Sequence, residues 1–476
     1  MRNLLLFFCA FFLFADSPWT PDVQVSQDPG TGNQNETTMG ILGDSLICAG
    51  YNDSRLGAYH VGFAASYDGG ATWQETLMYE PTYPSDADPC IVVNDSGHIC
   101  YVWLSYSPTS FYGDIFITKS RDWGRTWGPS INVTAGTASS LDDKPWAVVD
   151  GNNMFITWRD FGMYEALRFK RSSDWGETWG DGVTIGYDGN ATMTLRGTDS
   201  TIFVGWACQN LRLNKSYDMG RTWEGDEIII PVFWYPPSTS YRLNNIPCYA
   251  TSNDHTALYV VFADSRVASG QLDVFFSRST DEGETWSTPV MVNDAAVGDT
   301  SLQFYPWLAV DPQDRLHVVW HDTREGHREI ISQYYAYSTD SGSTWSVNER
   351  ISDTAAFADV FIGDYTTCAA DSSFIYAVWC DCRNGAYNPD IFHSKRINDV
   401  AVREYVTRRH TTSSLELSFP TPFTTSARIT YKPADAKLCI YQSDGRRVEE
   451  LTAQGVYFVV LRKDREMISK KLVKVD

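Results

Sequence analysis

One eight-residue pattern, Ser-x-Asp-x-Gly-x-Thr-Trp, occurs six times in the first three-quarters of the chain. The copies run from Ser66 to Trp73, Ser120 to Trp127, Ser172 to Trp179, Ser216 to Trp223, Ser279 to Trp286 and Ser338 to Trp345. Counted between their aspartates, successive copies are 44–63 residues apart. That is the length of one propeller blade, a small sheet that cannot bury its faces alone and so stacks with others in a ring. Strand-like segments flank each copy. Asp273-Val274-Phe275-Phe276-Ser277-Arg278 precedes the fifth, and Trp286-Ser287-Thr288-Pro289-Val290-Met291-Val292 follows it. The pattern therefore reads as the polar turn of a β-hairpin. Its glycine supplies a positive φ. Its serine and aspartate can bind backbone N–H groups of the turn. Its tryptophan opens the next strand and offers a flat surface for packing between blades. Every fixed position thus has a task in folding, and a feature repeated around a ring says little about any one reaction.

A second repeat precedes each copy: an apolar strand ending in an aromatic residue, often followed by x-Asp-x-Arg. It is complete from Tyr51 to Arg55, Phe262 to Arg266, Trp320 to Arg324 and Trp379 to Arg383. Trp158-Arg159-Asp160 is a variant, and Trp103 and Trp206 end matching strands without the pair. Seven such strands, one more than the turns, predict seven blades. Apolar segments opened by Pro89, Pro145, Pro247 and Pro306 lie upstream and are read as the innermost strand, A. The aromatic-ended strand is B, the strand before the turn C, and the strand after it D. The seventh unit has A at 366–370, B at 374–379 and C at 390–395, but no turn motif and no D. At the other end of the chain, Trp19-Thr20-Pro21-Asp22-Val23-Gln24-Val25-Ser26 matches the segment that begins at Trp286. This N-terminal strand is expected to complete the last blade, closing the ring and removing its edges.

The six turns resemble the Asp box, or BNR repeat, of sialidases and related β-propellers, and the resemblance spans residues 16–400. It implies an all-β propeller that recognises extracellular glycans, as an exo-α-sialidase-type glycoside hydrolase or as a non-catalytic binder of glycan or protein. Sialidases have six blades, so a count of seven departs from that family; the motif also occurs in propellers without sialidase activity. Residues 401–476 resemble the C-terminal sorting domain of the type IX secretion system, a small immunoglobulin-like β-sandwich. The matching residues are Phe419-Pro420-Thr421-Pro422-Phe423, Ile440-Tyr441 with Asp444-Gly445-Arg446, Gly455-Val456-Tyr457-Phe458, and the closing run from Lys470 to Val475. This second resemblance implies a Gram-negative-type cell, passage through the periplasm, the type IX machinery as a partner, and release or attachment at the cell surface.

The ends and the charge agree with export. One arginine precedes an apolar run from Leu4 to Ala15, which reads as a secretory signal over residues 1–15. The run is shorter than the roughly 20 residues a membrane span needs, and no other stretch reads as a transmembrane segment. Residues 401–476 carry 14 Lys+Arg against 9 Asp+Glu, whereas the whole chain has a formal net charge of −21. The rest of the chain is therefore strongly acidic, which excludes nucleic acid and anionic membrane as partners. Ten cysteines form no Cys-x-x-Cys pattern. Cys48 and Cys100 sit inside apolar strands as small hydrophobes, and Cys208 and Cys248 are placed to pair between neighbouring blades.

In a four-stranded blade the C–D turns lie on one face of the ring, and the B–C and D–A connections on the other. The Asp-x-Arg pairs therefore gather around the second mouth. Either each pair caps its own loop, or several arginines converge on an anionic ligand, whose carboxylate the guanidinium fork fits. Residues that break the repeat are more informative. Just before the strand-A proline, successive blades carry Glu36, Asp88, Lys144, Ile246, Tyr305 and Asp364, and Tyr365 replaces the proline in blade seven. Blades seven, one and two adjoin in a closed ring, so Asp364, Tyr365, Glu36 and Asp88 are expected to form an acidic pole at the channel. Arg55, Arg324 and Arg383 are expected beside it. The sialidase resemblance implies a tyrosine nucleophile, here Tyr365 or Tyr305, activated by a glutamate, Glu36. It implies a carboxylate acid/base, Asp88, and arginines on the substrate, with Asp364 in the same binding set. An Arg-Ile-Pro-like motif near the first blade is absent; the matching region reads Asn35-Glu36-Thr37-Thr38-Met39. Carboxylates so grouped suit a calcium ion, yet their spacing forms no recognisable calcium loop. Neither metal nor cofactor is assigned.

Overall fold

The computed structural model describes residues 17–398, apart from residues 29, 31, 136–139, 163, 190, 191 and 297–299, together with the backbone of six strands beyond residue 400. The expected leader at 1–15 lies outside the described residues, as do Phe419 to Phe423 and Asp444 to Arg446.

Seven four-stranded antiparallel blades follow one another along the chain. Blade one consists of Gln34–Ile41, Ile47–Asp53, His60–Ser66 and Gln74–Met78, hydrogen-bonded in that order. Blades two to six repeat the order over residues 85–132, 142–187, 192–231, 248–291 and 303–350. In blade six a short extra strand, Ala356–Phe357, pairs with Ile330 and Ile331. Blade seven takes Thr367–Ala370, Phe374–Asp381 and Asp390–Ile397 from one end of the propeller and its outermost strand, Val23–Gln24, from the other. Val23 lies opposite His393 and Gln24 opposite Phe392. The seven-bladed ring and its closure by the N-terminal strand are therefore as the sequence predicts.

The B strands sit between neighbouring blades, and Ile47–Asp53 is buried along its whole length. Their terminal aromatics, Tyr51, Trp103, Trp158, Trp206, Phe262, Trp320 and Trp379, are all buried. Removing 150–250 Å² of each from water is worth about 4–6 kcal/mol before the entropy of ordering is subtracted. The outer strands are shorter than the sequence suggests. Within 286–292 only Val290–Met291 pairs, because Pro289 has no N–H to give the ladder.

The six turns are superposable in their bonding. In the first, Gly70 N–H donates to Ser66 Oγ at 2.8 Å and the Ser66 hydroxyl to Asp68 Oδ1 at 2.8 Å. The Thr72 N–H and hydroxyl donate to the two Asp68 oxygens at 2.9 and 2.6 Å. The same four bonds recur in the other five copies. The glycines have φ between 74° and 91°, and they serve a second purpose. A Cβ on any of them would stand 1.9–2.9 Å from a side chain on strand C of the preceding blade. The tryptophan of the turn then covers that same side chain. Ring centroids are 4.8 Å apart for Trp127 on Phe63, 4.9 Å for Trp223 on Phe169 and 5.4 Å for Trp345 on Phe276. The turn is thus a latch between blades. Blade seven has no turn motif, and its tryptophan comes from the N-terminal strand: Trp19 meets Tyr335 of blade six edge-on at 5.2 Å.

Cys208 and Cys248 do not pair; all eight described cysteines are free thiols. Cys248 Sγ instead accepts the N–H of Leu308 at 3.3 Å, and Cys90 Sγ that of Ala147 at 3.5 Å. These buried thiols tie neighbouring inner strands where a threonine, Thr38, does the same for Ile91. Beyond residue 400, Glu416–Ser418 pairs with Thr430–Lys432, and Lys437–Gln442, Arg447–Val448, Gly455–Lys463 and Glu466–Lys474 form a four-stranded antiparallel sheet. No helix among the described residues is long and apolar enough to cross a membrane.

Candidate functional site

The inner strands of blades one, two, three and six share one irregularity. Their register shifts between Asn35 and Thr38, Ala87 and Cys90, Asp143 and Trp146, and Phe304 and Trp307. At each shift a residue with a side chain takes a left-handed φ: Glu36 at 57°, Asp88 at 52°, Lys144 at 50° and Tyr305 at 53°. An L-residue there costs about 1–2 kcal/mol, and a bulge re-aims the side chain it carries. Four bulges at one level turn these side chains into the central channel. Gly363, with φ of 95°, leaves the space: a Cβ on it would stand 2.6 Å from the Glu36 nitrogen.

Lys144 is the hub. Its Nζ lies 2.8 Å from Asp364 Oδ2, 3.1 Å from Asp88 Oδ1 and 3.5 Å from Glu36 Oε1. A second cation, Arg242, reaches in from the connection between blades four and five. Its Nε donates to Asp364 Oδ1 at 2.7 Å, a second guanidinium N–H donates to Oδ2, and Glu36 Oε1 is 3.6 Å away. Asn52 on strand B of blade one donates to Glu36 Oε2 at 2.7 Å and accepts the Asp88 N–H at 2.8 Å. The Tyr365 hydroxyl donates to Asp88 Oδ1 at 3.3 Å, and the Tyr305 hydroxyl to the Arg242 carbonyl at 2.5 Å.

The structure therefore brings together Glu36, Asp88, Asp364 and Tyr365. It holds Arg55, Arg324 and Arg383 elsewhere, each engaged by carboxylates of its own. Arg55 pairs with Asp53 and Glu75, Arg324 with Asp322 and Asp294, and Arg383 with Asp381 and Asp22. Among the described residues, no ion pair links any of the three to Glu36, Asp88 or Asp364. Lys144 and Arg242 take that place. Lys144 occupies a position the sequence marks; Arg242 lies in a connection with no repeat to flag it. Trp146 and Trp307, which line the space beside the cluster, each follow a strand-A proline, and that repeated Pro-Trp is the signal by which they are found.

Burial pushes the Glu36 carboxyl well above its usual range, and the neighbouring Asp88 charge adds to this. Burial also works to raise Asp88, but the Lys144 ammonium outweighs it and holds Asp88 ionised, with Glu36 as a hydrogen-bonding neighbour. The proton of this pair therefore sits on Glu36. Asp143 is pushed up to about 7 by burial and by Asp88. Asp364 stays ionised because Lys144 and Arg242 overcome its burial. Burial, then Asp88, keeps the Tyr365 phenol neutral. Asp88 and Asp364 thus balance Lys144 and Arg242, and the cluster carries no net charge. The ammonium of Lys144 stands among the carboxylates where a cation would bind, and no group of residues suited to a metal is found among the described residues.

Beside the cluster is a small hollow of about 20 Å³, lined by Lys144, Trp146, Met193, Ile246, Trp307 and Tyr365. The two indoles lie 5.1 Å apart at an angle of 56°, and Trp307 meets the Tyr365 ring at 6.1 Å.

No protein-family model and no curated protein matches the sequence. Several solved structures are similar to the chain. A Hadza microbial sialidase is 15% identical over 64% of this chain and 65% of its own, with a TM-score of 0.46. The Trypanosoma rangeli sialidase is 13% identical over 82% of this chain and 60% of its own, with a TM-score of 0.47. The Penicillium chrysogenum alpha-L-arabinanase is 12% identical over 80% of this chain and 98% of its own, with a TM-score of 0.44. This chain spans less than two thirds of the length of either sialidase.

Proposed function

We propose that this propeller recognises glycans over the mouth of its central channel, outside the cell. The observation that carries the reading is the convergence of Glu36, Asp88, Asp364 and Tyr365 with Lys144 and Arg242 beside a hollow walled by Trp146 and Trp307. A sugar offers hydroxyls to charged hydrogen-bonding groups and apolar C–H faces to aromatic rings, and a site that is part apolar with a few convergent polar groups suits it. Export rests on the apolar run from Leu4 to Ala15 and on the sorting-domain pattern of residues 401–476. Mass spectrometry of the secreted chain checks it: a mature N-terminus near residue 16 is expected.

The same residues contain the parts of sialidase-type hydrolysis, with roles redistributed. Asp88, 3.3 Å from the phenol, rather than Glu36, is placed to take the Tyr365 proton as its oxygen bonds the anomeric carbon. Glu36, which holds a proton, is placed to give it to the departing glycosidic oxygen. A neutral sugar suits this site better than a sialoside, because Arg242 is committed to Asp364 and no other arginine is paired with the cluster among the described residues.

The test is release of fluorophore from a panel of neutral α- and β-glycosides and an α-sialoside by the full mature chain, with binding of the same sugars measured by calorimetry. A loss of turnover of 100-fold or more in both Glu36→Gln and Tyr365→Phe establishes hydrolysis at this site. Binding without turnover, weakened by Trp307→Ala, leaves a glycan-binding propeller. Folded protein that neither binds nor turns over any of the sugars removes the glycan reading altogether.

A further inference from the structure

Among the described residues ten aromatic side chains are exposed, and nine of them lie on the face formed by the B–C and D–A connections. Tyr79, Phe233 and Tyr235 stand on D–A connections, and Phe111, Tyr164 and Tyr387 on B–C connections. The opposite face, built from the six latching turns, has Tyr217. Packing between blades does not require this asymmetry, since the aromatics that lock the blades together are buried. Nine of the ten exposed rings thus share the mouth that also holds the central cluster.

We propose that this face is a platform for an extended, uncharged polysaccharide, whose chain runs from the rim aromatics to the central hollow; the proposal rests on the glycan reading above. Three observations select this occupant. First, the rings are spread around the mouth from blade one to blade seven, singly or in pairs, with polar groups between them. A protein partner needs a contiguous buried area of about 800 Å² on each side with an apolar core, whereas each unit of a sugar chain covers one ring. Second, hydrogen-bonding groups stand beside the rings. Tyr164 and Tyr187 flank the Asp160–Arg168 ion pair, 3.1 Å, around an open hollow of about 220 Å³. The Arg266 guanidinium lies 5.9 Å from the Phe233 ring, and the Tyr387 hydroxyl donates to Asp359 at 2.8 Å. Third, the charge is wrong for a polyanion. The whole chain has a net charge of −21 with a positive C-terminal region, so the remainder repels acidic polymers, and the central cluster has no net positive charge to offer one.

The test is affinity electrophoresis of the full mature chain in gels containing dextran, mannan, arabinan or xylan, with hyaluronan as the anionic probe. At least one neutral polymer is expected to retard the protein. The Tyr164→Ala/Tyr187→Ala and Phe233→Ala/Tyr235→Ala variants should each raise its dissociation constant five- to tenfold. Tyr217→Ala, on the far face, should leave it unchanged. All of these side chains are exposed, and unchanged melting temperatures confirm that the variants fold. The proposal is overturned if no neutral polymer retards the protein, if hyaluronan binds more tightly, or if Tyr217→Ala costs as much as the rim variants. Small glycosides that bind at the centre while no polymer does would remove the platform and leave the central reading standing.

Discussion

Gly342 has φ of 81° and lies so near Phe276 of the preceding blade that an added Cβ would stand 1.9 Å from its ring. Gly151 has φ of 60° with nothing within 4 Å. Alanine at Gly151 meets backbone strain of about 1 kcal/mol; alanine at Gly342 meets that strain plus about 1–3 kcal/mol of overpacking. Urea unfolding should therefore rank Gly342→Ala as worse by at least about 1 kcal/mol, and equal losses would mean that the turn glycines serve only φ. At the channel the same reasoning concerns charge. Lys144→Met leaves Asp88 and Asp364 buried with a single cation between them, a loss of about 3–5 kcal/mol. Glu36→Gln keeps a group that can donate to Asp88 and should change stability by less than about 1 kcal/mol; a large loss in that variant would place the shared proton elsewhere. Glu36, Asp88, Lys144 and Tyr305 were legible in the sequence because the bulge that aims them recurs just before a proline or its replacement. Arg242 was not, because a connection between blades has no period. The Asp-x-Arg pairs were legible as a pattern, but the second partners of their arginines were not: Glu75 comes from the outer strand of the same blade, Asp294 from the end of the blade before, and Asp22 from the segment that closes the ring.

At the scale of one strand, the N-terminal segment reproduces the latch that the other blades build from a turn. Trp19 covers Tyr335 as Trp345 covers Phe276. The backbone N–H groups of Asp22 and Asp353 each donate to the other's carboxylate at 2.8 and 2.7 Å, as between blades five and six the Asp294 N–H donates to the Asn348 amide oxygen at 2.7 Å and the Asn348 N–H to the Asp294 carboxylate at 2.9 Å. Arg383 then fastens Asp22 at 2.6 Å. A strand of two paired residues contributes little through its ladder, so the closure depends on these side chains. Trp19→Ala should cost about 3–5 kcal/mol, the usual loss for a buried tryptophan, and should expose the edge of Asp390–Ile397 to pairing with other chains. Light scattering during thermal unfolding measures both, and a variant that melts like the parent without aggregating would show that the ring closes without this contact. The match between the segments at Trp19 and Trp286 made this element readable in advance, because strand D keeps the same local sequence wherever it lies in the chain.

Across the whole molecule, two populations of carboxylates set opposite responses to pH. Burial pushes Asp142 up to about 7, and Asp22 and Asp390 up to about 6. The turn aspartates go the other way: hydrogen bonds from Thr126 and Thr285 hold Asp122 and Asp281 down to about 2. A raised group contributes stability that is fully present below its unfolded value near 3.8 and is lost as pH rises through 6 to 7. A lowered group contributes stability present above 3.8 and lost as pH falls toward 2. Burial holds His321 and His393 down to about 3, so below about pH 6.5 the unfolded state takes up protons that these rings refuse and the two effects oppose. Above pH 6.5 the raised carboxylates decide, and the native state holds more protons than the unfolded one. Repulsion within a chain of net charge −21 acts in the same direction, since it grows as carboxylates ionise. Stability should therefore fall as pH rises from 6.5 toward 8, the window in which Asp142 titrates in the folded ring. Urea midpoints measured at half-unit intervals check the slope. Asp142→Asn should flatten it between pH 6 and 8, because the amide still accepts the Trp158 indole N–H, 2.8 Å in the parent, without ionising. Midpoints that rise with pH through this window would mean that Asp142, Asp22 and Asp390 are ionised in the folded ring.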